Sequence, residues 1–296
     1  MHFPLSIIIP THKRTDILRQ CLECLAKQSL LKKEKFEVVV VSDGPDEKTA
    51  EMIQMLPWPF EVQHFAIPKS QQGIARNRAA EKARGKISLL IGDDIFLAED
   101  ACEKHMKAHS DFPMAALGFT TWDPMLKVTP LMRWMEESGV QFGYPKIAEF
   151  AHAFLPKDRQ HFFTYTSNLS LPTKLLWQYP FREDVSLYGW EDIEWGLRLA
   201  DAGVSLFYEP DAKGYHHHAF TDAEVWERSR KLGLSAVKMQ SLVGALRQSS
   251  GQASHALPLQ IIPRGLKRIA YHLLALLPTY KGKHCRAFLR GMQQAK

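Results

Sequence analysis

The chain has 296 residues, 45% hydrophobic and 24% charged, enough apolar material for one large or two modest domains with a buried core. Four cysteines exclude a disulfide framework at this length, and no apolar run reaches the roughly 18 residues that a membrane-spanning helix needs. The first apolar run has no basic leader and no cleavage signature, so we interpret it as a strand and predict a cytoplasmic protein.

Positive charge is concentrated towards the C-terminal end of the sequence. Residues 228–296 contain 13 Lys or Arg and no Asp or Glu, whereas the preceding part carries 25 basic and 32 acidic residues. The net charge of the whole chain is +6. A body with a negative balance and a strongly basic tail indicates contact with an anionic surface.

The first ninety residues predict strands that alternate with helices. Continuous apolar runs are typical of buried parallel strands, and stretches with one apolar or alanine-rich face are typical of helices packed on a sheet. In chain order we predict a strand at 5–10, a helix at 15–28, a strand at 36–41, a helix at 46–56, a strand at 60–67, a helix at 73–84 and a strand at 87–91. Such alternation predicts a parallel sheet that binds ligands at the carboxyl ends of its strands.

The second half is less regular. Residues 119–163 are aromatic-rich and predict either a lid or acceptor-binding insertion, or simply core. A strand is predicted at 164–171, a helix at 191–202 and a strand at 204–208, with basic helical sequence beyond His218. We therefore divide the chain into a catalytic domain, 1–220, with halves at 1–118 and 119–220, and a C-terminal helical extension, 221–296.

Two acidic pairs are the strongest candidates for chemistry. Asp93 and Asp94 directly follow a predicted buried strand, where adjacent carboxylates need a cation or strong donors; the alternative is an exposed turn. Glu191 and Asp192 open a predicted helix, where they could act as a proton acceptor or simply cap the helix. Trp190 beside them could stack on a sugar.

Basic and imidazole side chains give weaker candidates. The run 216–218 is three histidines, of which one could complete a metal site or all could be solvated. Arg76 lies on the helix before the Asp93–Asp94 strand and could bind a diphosphate or face solvent.

These segments, in this order, resemble the family 2 glycosyltransferases of the GT-A fold. IIIPTHKR and VVVSDGPDEKT resemble the family's first two strand–turn units, and GIARNRAAEKARGKISLLIGDDI resembles the segment leading to its DxD metal motif. SNLSLPTKLL and YGWEDIEWGLRLADAG resemble its acceptor side, and the likeness covers residues 5–218. It implies an α/β fold with a mostly parallel, Rossmann-like central sheet flanked by helices.

The resemblance also implies roles for individual residues. Asp94 matches the metal-binding aspartate, and Gly92 stands where the family usually has the first aspartate of the motif, so Asp93 is the substitute. Asp192 matches the catalytic base and Glu191 its acidic neighbour. The remaining implied contacts are Pro10, Thr11, Asp43, Arg76 and Asp93 to the donor, His216 or His218 to the metal, and Trp122, Asn168 and Trp190 to the acceptor.

The implied reaction is an inverting, in-line transfer of a hexosyl or N-acetylhexosaminyl group from a nucleotide-diphosphate sugar, a UDP-sugar favoured, with Mn²⁺ or Mg²⁺. The expected acceptor is a glycan or a lipid-linked glycan, and no nucleic-acid partner is expected. Residues 264–296 are basic and amphipathic, so they predict either peripheral contact with the cytoplasmic face of a membrane or a helix packed on the catalytic domain.

Two other functions fit the same fold class. A sugar-nucleotide pyrophosphorylase would also use acidic metal ligands, but its glycine-rich signature is absent after the first predicted strand. A non-catalytic module that binds nucleotide sugars or glycans is favoured only by Gly92. Metal-dependent turnover of a nucleotide sugar would exclude such a module.

Overall fold

The computed structural model describes residues 3–109, 114–250 and 262–295. The last residue of the predicted 264–296 segment, Lys296, therefore lies outside the described residues. The first seven elements are β1 Leu5–Thr11, α1 Thr15–Leu25, β2 Glu37–Asp43, α2 Glu47–Met55, β3 Glu61–Ile67, α3 Gln72–Lys82 and β4 Ile87–Ile91. Each predicted element of this half is present, with its ends within about three residues of the prediction.

The second half contains more regular structure than the sequence predicts. Its elements are β5 Ile95–Leu97, α4 Ala101–Ala108, β6 Ala115–Trp122, α5 Pro130–Ser138, β7 Ala153–Phe154, β8 Asn168–Pro172, α6 Thr173–Gln178, α7 Glu191–Asp201, β9 Leu206–His216, α8 Asp222–Ser250, α9 Gly265–Ala275 and α10 Tyr280–Gln294. The region predicted to be irregular contains the end of β6 and all of α5 and β7. The last predicted strand extends to His216, because β9 pairs along its length with β5, β6 and β7.

The nine strands of the described residues form one sheet, in the order β3-β2-β1-β4-β8-β6-β9-β5, with β7 on β9. The first four strands are parallel. β8 then runs antiparallel between β4 and β6, while β6 and β9 are parallel to each other. Helices flank this sheet and follow it at the C-terminal end, which confirms the predicted α/β architecture.

The alternation of side chains in β1 explains why helices cover both faces of the sheet. Ile7 packs in one apolar cluster with Leu18 of α1, whereas Ile8 packs in another with Ala75 and Ala79 of α3. Successive residues of a strand point to opposite faces, so both faces of a fully apolar strand must be covered. The sandwiched strands hold their carboxyl ends at one fixed edge.

The C-terminal helices pack closely on each other. A Cβ on Gly233 of α8 would overlap the carbonyl oxygen of Phe288 in α10, and one on Gly291 of α10 would overlap the carbonyl oxygen of Arg230 in α8. The two backbones can approach so closely only because both positions lack a side chain. Among the helices of residues 3–109, 114–250 and 262–295, none has the length and hydropathy required to cross a bilayer.

Candidate active site

A cavity of about 1370 Å³ opens at the carboxyl ends of β1 and β4. One side is lined by Pro10, Asp93 and Asp94, and another by Glu191 and Asp192. The two acidic pairs, nearly a hundred positions apart in sequence, therefore face one space. The predicted site residues that line it are Pro10, Arg76, Asp93, Asp94, Trp190, Glu191, Asp192, His216 and His218.

Strand pairing brings the histidines to Asp94. β5 begins at Ile95 and pairs antiparallel with β9 so that Ile95 lies opposite His216. Oδ2 of Asp94 is 3.4 Å from Nε2 of His216 and 3.5 Å from Nδ1 of His218. The backbone N–H of His217 donates to the carbonyl oxygen of Asp94 at 2.8 Å, which fixes the loop that carries both imidazoles.

The Asp94, His216 and His218 side chains could hold a metal ion, because one ligand atom from each lies within 4.8 Å of the others. Nδ1 of His216 is buried without a hydrogen-bond partner among the described residues, while its Nε2 faces Asp94. Burial alone would raise the pKa of Asp94, but hydrogen bonds from the two histidines and the charge of Arg14 hold it well below its usual range. The carboxylate is thus ionised, as a metal ligand must be.

Arg14 joins the two adjacent aspartates. Its guanidinium group contacts Oδ1 of Asp93 and Oδ2 of Asp94, each at 3.0 Å, and Oγ1 of Thr11 donates to Oδ2 of Asp93 at 2.7 Å. Burial, with the neighbouring charge of Asp94, raises the pKa of Asp93 to about 6. Thr11 thus reaches the site through Asp93, and Arg14 places positive charge at the cavity wall.

Glu191 and Asp192 form a second coupled pair at the start of α7. The hydroxyl of Thr166 donates to the Asp192 carboxylate at 3.0 Å, and its backbone N–H donates to Oδ2 at 3.2 Å. Burial raises the pKa of Asp192, and burial together with Asp192 raises the pKa of Glu191 to about 7. Raised carboxyl pKa values of this kind are typical of groups that exchange protons near neutral pH.

Arg76 is buried on the Glu191–Asp192 side of the cavity. Its positive charge acts on both carboxylates, and burial lowers its own pKa. Nε of Arg76 is buried without a hydrogen-bond partner among the described residues. The sequence predicts a diphosphate contact for Arg76, and in the structure its charge acts on the Glu191–Asp192 pair.

Trp122 and Asn168, for which the resemblance predicts contact with an acceptor, do not line the cavity. Trp122 is 4% exposed, donates from Nε1 to the carbonyl oxygen of Met132 and stacks on His216 with ring centres 5.3 Å apart. Asn168 is fully buried and bonds His105 and the carbonyl oxygens of Phe119 and Ala212. Both are core residues that position the strands behind the site.

Asp43 also lies away from the cavity lining. Its carboxylate accepts hydrogen bonds from Nζ of Lys69 at 2.8 Å and from the backbone N–H of Ser70 at 2.6 Å. Burial opposes ionisation, but these bonds outweigh it and lower the pKa of Asp43. Trp190, by contrast, does line the cavity, and its Nε1 donates to the carbonyl oxygen of Leu232 in α8 at 3.0 Å.

Sequence reasoning missed three groups that shape the cavity. Arg14 follows the end of β1 within the IIIPTHKR segment. Its position just after a predicted strand, the feature that marks Asp93 and Asp94 as candidates, could therefore have marked Arg14 as well. No sequence pattern marks Thr166 as a site residue, because its hydrogen-bond partner Asp192 is distant in sequence. The third group is the C-terminal wall, formed in part by Arg228, Lys231, Lys281 and His284.

A sequence model of the family described as "Glycosyl transferase family 2" matches residues 6–174 of this chain, more than half of its length. The chain belongs to glycosyl transferase family 2. This family 2 chain is 26% identical over 253 residues to the uncharacterized glycosyltransferase YfnE of Bacillus subtilis, covering 71% of this chain and 64% of that protein. It is 25% identical over 234 residues to validoxylamine A glucosyltransferase of Streptomyces hygroscopicus subsp. jinggangensis, and this match covers 72% of this chain and 55% of that protein. It thus spans about half to two thirds of the length of these relatives.

Solved structures share the fold of this family 2 chain at low sequence identity. The mannosyltransferase PcManGT from Pyrobaculum calidifontis, in complex with GDP-Man and Mn²⁺, superposes with a TM-score of 0.64 at 16% identity, over 100% of this chain and 87% of that one. TarS 1-349 of S. aureus, in complex with UDP, superposes with a TM-score of 0.54 at 17% identity, over 99% of this chain and 91% of that one. The likeness confirms the GT-A fold.

Proposed function

We propose that this chain is a metal-dependent, inverting glycosyltransferase that moves a sugar from a nucleoside-diphosphate sugar to an acceptor hydroxyl. The observation that carries the proposal is the shared cavity, in which the Asp94–His216–His218 cluster and the Glu191–Asp192 pair face one space. A charge-stabilising group for the leaving diphosphate and a proton acceptor for the incoming hydroxyl are the two requirements of such a transfer.

In the proposed reaction, Asp192 is the general base. It accepts the proton of the acceptor hydroxyl while the hydroxyl oxygen forms a bond to the anomeric carbon and the bond from that carbon to the diphosphate oxygen breaks. Thr166 orients the carboxylate through two donors, and Arg76 supplies a buried positive charge that favours its ionised form. Glu191, whose pKa is coupled to that of Asp192, is the second catalytic residue of the proposed reaction.

Asp94, His216 and His218 would hold the cofactor of the proposed enzyme. Two imidazoles in the donor set favour Mn²⁺ over Mg²⁺, which prefers oxygen ligands. When bound, the metal supplies positive charge that offsets the charge developing on the diphosphate. PcManGT, whose structure contains Mn²⁺ and GDP-Man, supports the choice of cofactor and donor class, and TarS with UDP supports a UDP-sugar.

The decisive experiment measures turnover of nucleotide sugars with Mn²⁺ in the wild type, Asp192→Asn and a control, Asp201→Asn. Asp201 is an exposed carboxylate at the other end of the same helix. We expect Asp192→Asn to bind UDP normally and to lose about 10²–10⁴-fold in turnover, the usual contribution of a general base. The control should be unaffected. Near-normal turnover of Asp192→Asn would remove Asp192 as the base, and no turnover of any nucleotide sugar by the wild type would remove the function.

The proposal includes peripheral contact with the cytoplasmic face of a membrane and a lipid-linked or other glycan as acceptor. The supporting feature is one face of α9 and the turn after it, where large apolar side chains are exposed, Leu266 by 85% and Leu276 by 78%. The remaining members of this apolar stripe are Ile269, Leu273 and Leu277. Lys267 and Arg268 lie beside the stripe, and each basic residue near an anionic leaflet contributes about 1 kcal/mol. The four free cysteines fit a reducing compartment.

Flotation with phosphatidylglycerol vesicles at low salt tests the membrane contact. We expect the wild type to float, Leu266→Ser/Leu273→Ser to remain at the bottom of the gradient, and Met125→Ser to float. Met125 is an equally exposed apolar residue, at 85%, but lies outside the stripe. If both variants float as well as the wild type, the α9 stripe is not a membrane contact.

A further inference from the structure

The wall of the cavity beside Glu191 and Asp192 is built by the C-terminal helices. The loop that leads into α7 packs on α8, because the side chain of Leu232 lies against Gly189 and the carbonyl oxygen of Leu232 accepts from Trp190. The glycine contacts between α8 and α10 fix the second helix behind the first. Side chains of this wall therefore lie next to the proposed base.

Three of these wall residues are basic. Arg228 of α8 has a buried Nε without a hydrogen-bond partner among the described residues, and its positive charge acts on Asp192. Lys231, one turn further along α8, places Nζ 5.6 Å from the ring centre of Tyr188, which also lines the cavity. Lys281 extends the basic wall from the first turn of α10.

Acidic residues on the same wall are already engaged. Glu227 forms hydrogen bonds with the guanidinium group of Arg230. Glu224 accepts from the backbone N–H and the hydroxyl of Thr221, both at 2.8 Å. The charge of Lys231 also acts on Glu227, but the three basic residues of the wall form no salt bridge with any of the described residues, so they can bind an anion that enters the cavity at this end.

We infer that the acceptor carries a phosphate group, which binds to Arg228, Lys231 and Lys281 while its hydroxyl faces Asp192. The inference rests on the proposed function, because the donor diphosphate belongs at Asp94 and the acceptor belongs at the base. Arg and Lys are the side chains that bind phosphate oxygens through charge-assisted hydrogen bonds. A soluble sugar phosphate and a lipid-linked phosphate share this chemistry.

The test uses the full chain saturated with UDP and Mn²⁺, so that the donor site is filled, and measures the binding of inorganic phosphate by calorimetry. We expect millimolar binding that weakens with added salt, and at least tenfold weaker binding to Lys231→Glu/Lys281→Glu. Lys238→Glu is the matched control, since Lys238 is exposed on the same helix but does not line the cavity. Both substituted lysines are exposed, so the double variant should fold, which its thermal midpoint verifies.

Each outcome separates this inference from the proposed function. Failure of UDP and Mn²⁺ to bind would count against the function itself. Binding of UDP and Mn²⁺ without phosphate, or equal phosphate binding by the double variant and the control, overturns the acceptor subsite alone. Dodecyl phosphate as a second probe identifies the source: tighter binding than inorganic phosphate indicates a lipid-linked acceptor, and equal binding indicates a soluble one.

Discussion

Replacing Asn168 with alanine should destabilise the protein rather than weaken acceptor binding. Nδ2 of Asn168 donates to the carbonyl oxygens of Phe119 at 3.1 Å and Ala212 at 2.8 Å, and Oδ1 pairs with Nε2 of His105 at 2.9 Å. Alanine would leave all three polar groups without this partner. Each buried polar group left unsatisfied costs about 1–3 kcal/mol, so for three groups we expect a loss of about 3–9 kcal/mol.

Thermal unfolding followed by circular dichroism measures this loss. For a protein of this size, 1 kcal/mol corresponds to roughly 2–4 °C, so the midpoint of Asn168→Ala should fall by at least about 6 °C. Gln54→Ala, which removes an exposed amide, should unfold within about 1–2 °C of the wild type. At a temperature where Asn168→Ala is folded, its Michaelis constant for the acceptor should be unchanged. An unchanged midpoint with a raised Michaelis constant would refute the structural role.

Two further predictions concern the two halves of the cavity. Burial and Asp192 raise the pKa of Glu191 from an ordinary 4.5 to about 7, so the folded state binds this proton more tightly and the stability associated with it is lost as pH rises from about 4.5 to 7. The free energy of unfolding of Glu191→Gln should therefore exceed that of the wild type by up to about 3 kcal/mol at pH 8 and by little at pH 5. Equal differences in thermal midpoint at both pH values would contradict this. His218→Ala should bind Mn²⁺ at least tenfold more weakly by calorimetry in the presence of UDP. His272→Ala, which removes an exposed histidine outside the cavity and outside the metal-ligand cluster, should bind it normally; equal affinities would remove His218 as a ligand.

The parts of the fold that the sequence predicts are those determined by local pattern. The apolar runs of β1, β2 and β4 end at polar residues, and parallel strands bring such ends to one edge, so Asp93 and Asp94 could be placed at a site without any structure. The run of three histidines is also visible in the sequence as a possible metal site, but its approach to Asp94 depends on the β5–β9 pairing.

Non-local pairing explains what the sequence did not predict. Asn168 begins β8, which is inserted antiparallel between β4 and β6 with Asn168 opposite Ile91. Nothing in the residues around Asn168 specifies that neighbour, so the sequence does not predict the hydrogen bonds from its amide to the backbone at Phe119 and Ala212. Trp122 is a similar case, because its register opposite His216 places it behind the imidazole.

The close glycine contact between α8 and α10 has a consequence for redesigning substrate preference. The pair forms a compact unit that borders the Glu191–Asp192 side of the cavity, where we propose that the acceptor binds, whereas the ends of β1 and β4 border the Asp93–Asp94 side, where we propose that the donor binds. Exchanging the two helices together between homologues, with Gly233 and Gly291 retained, is thus a route to chimeric enzymes with new acceptors and an unaltered donor half. Cutting the chain before α8 would instead remove one side of the reaction chamber and open it to water.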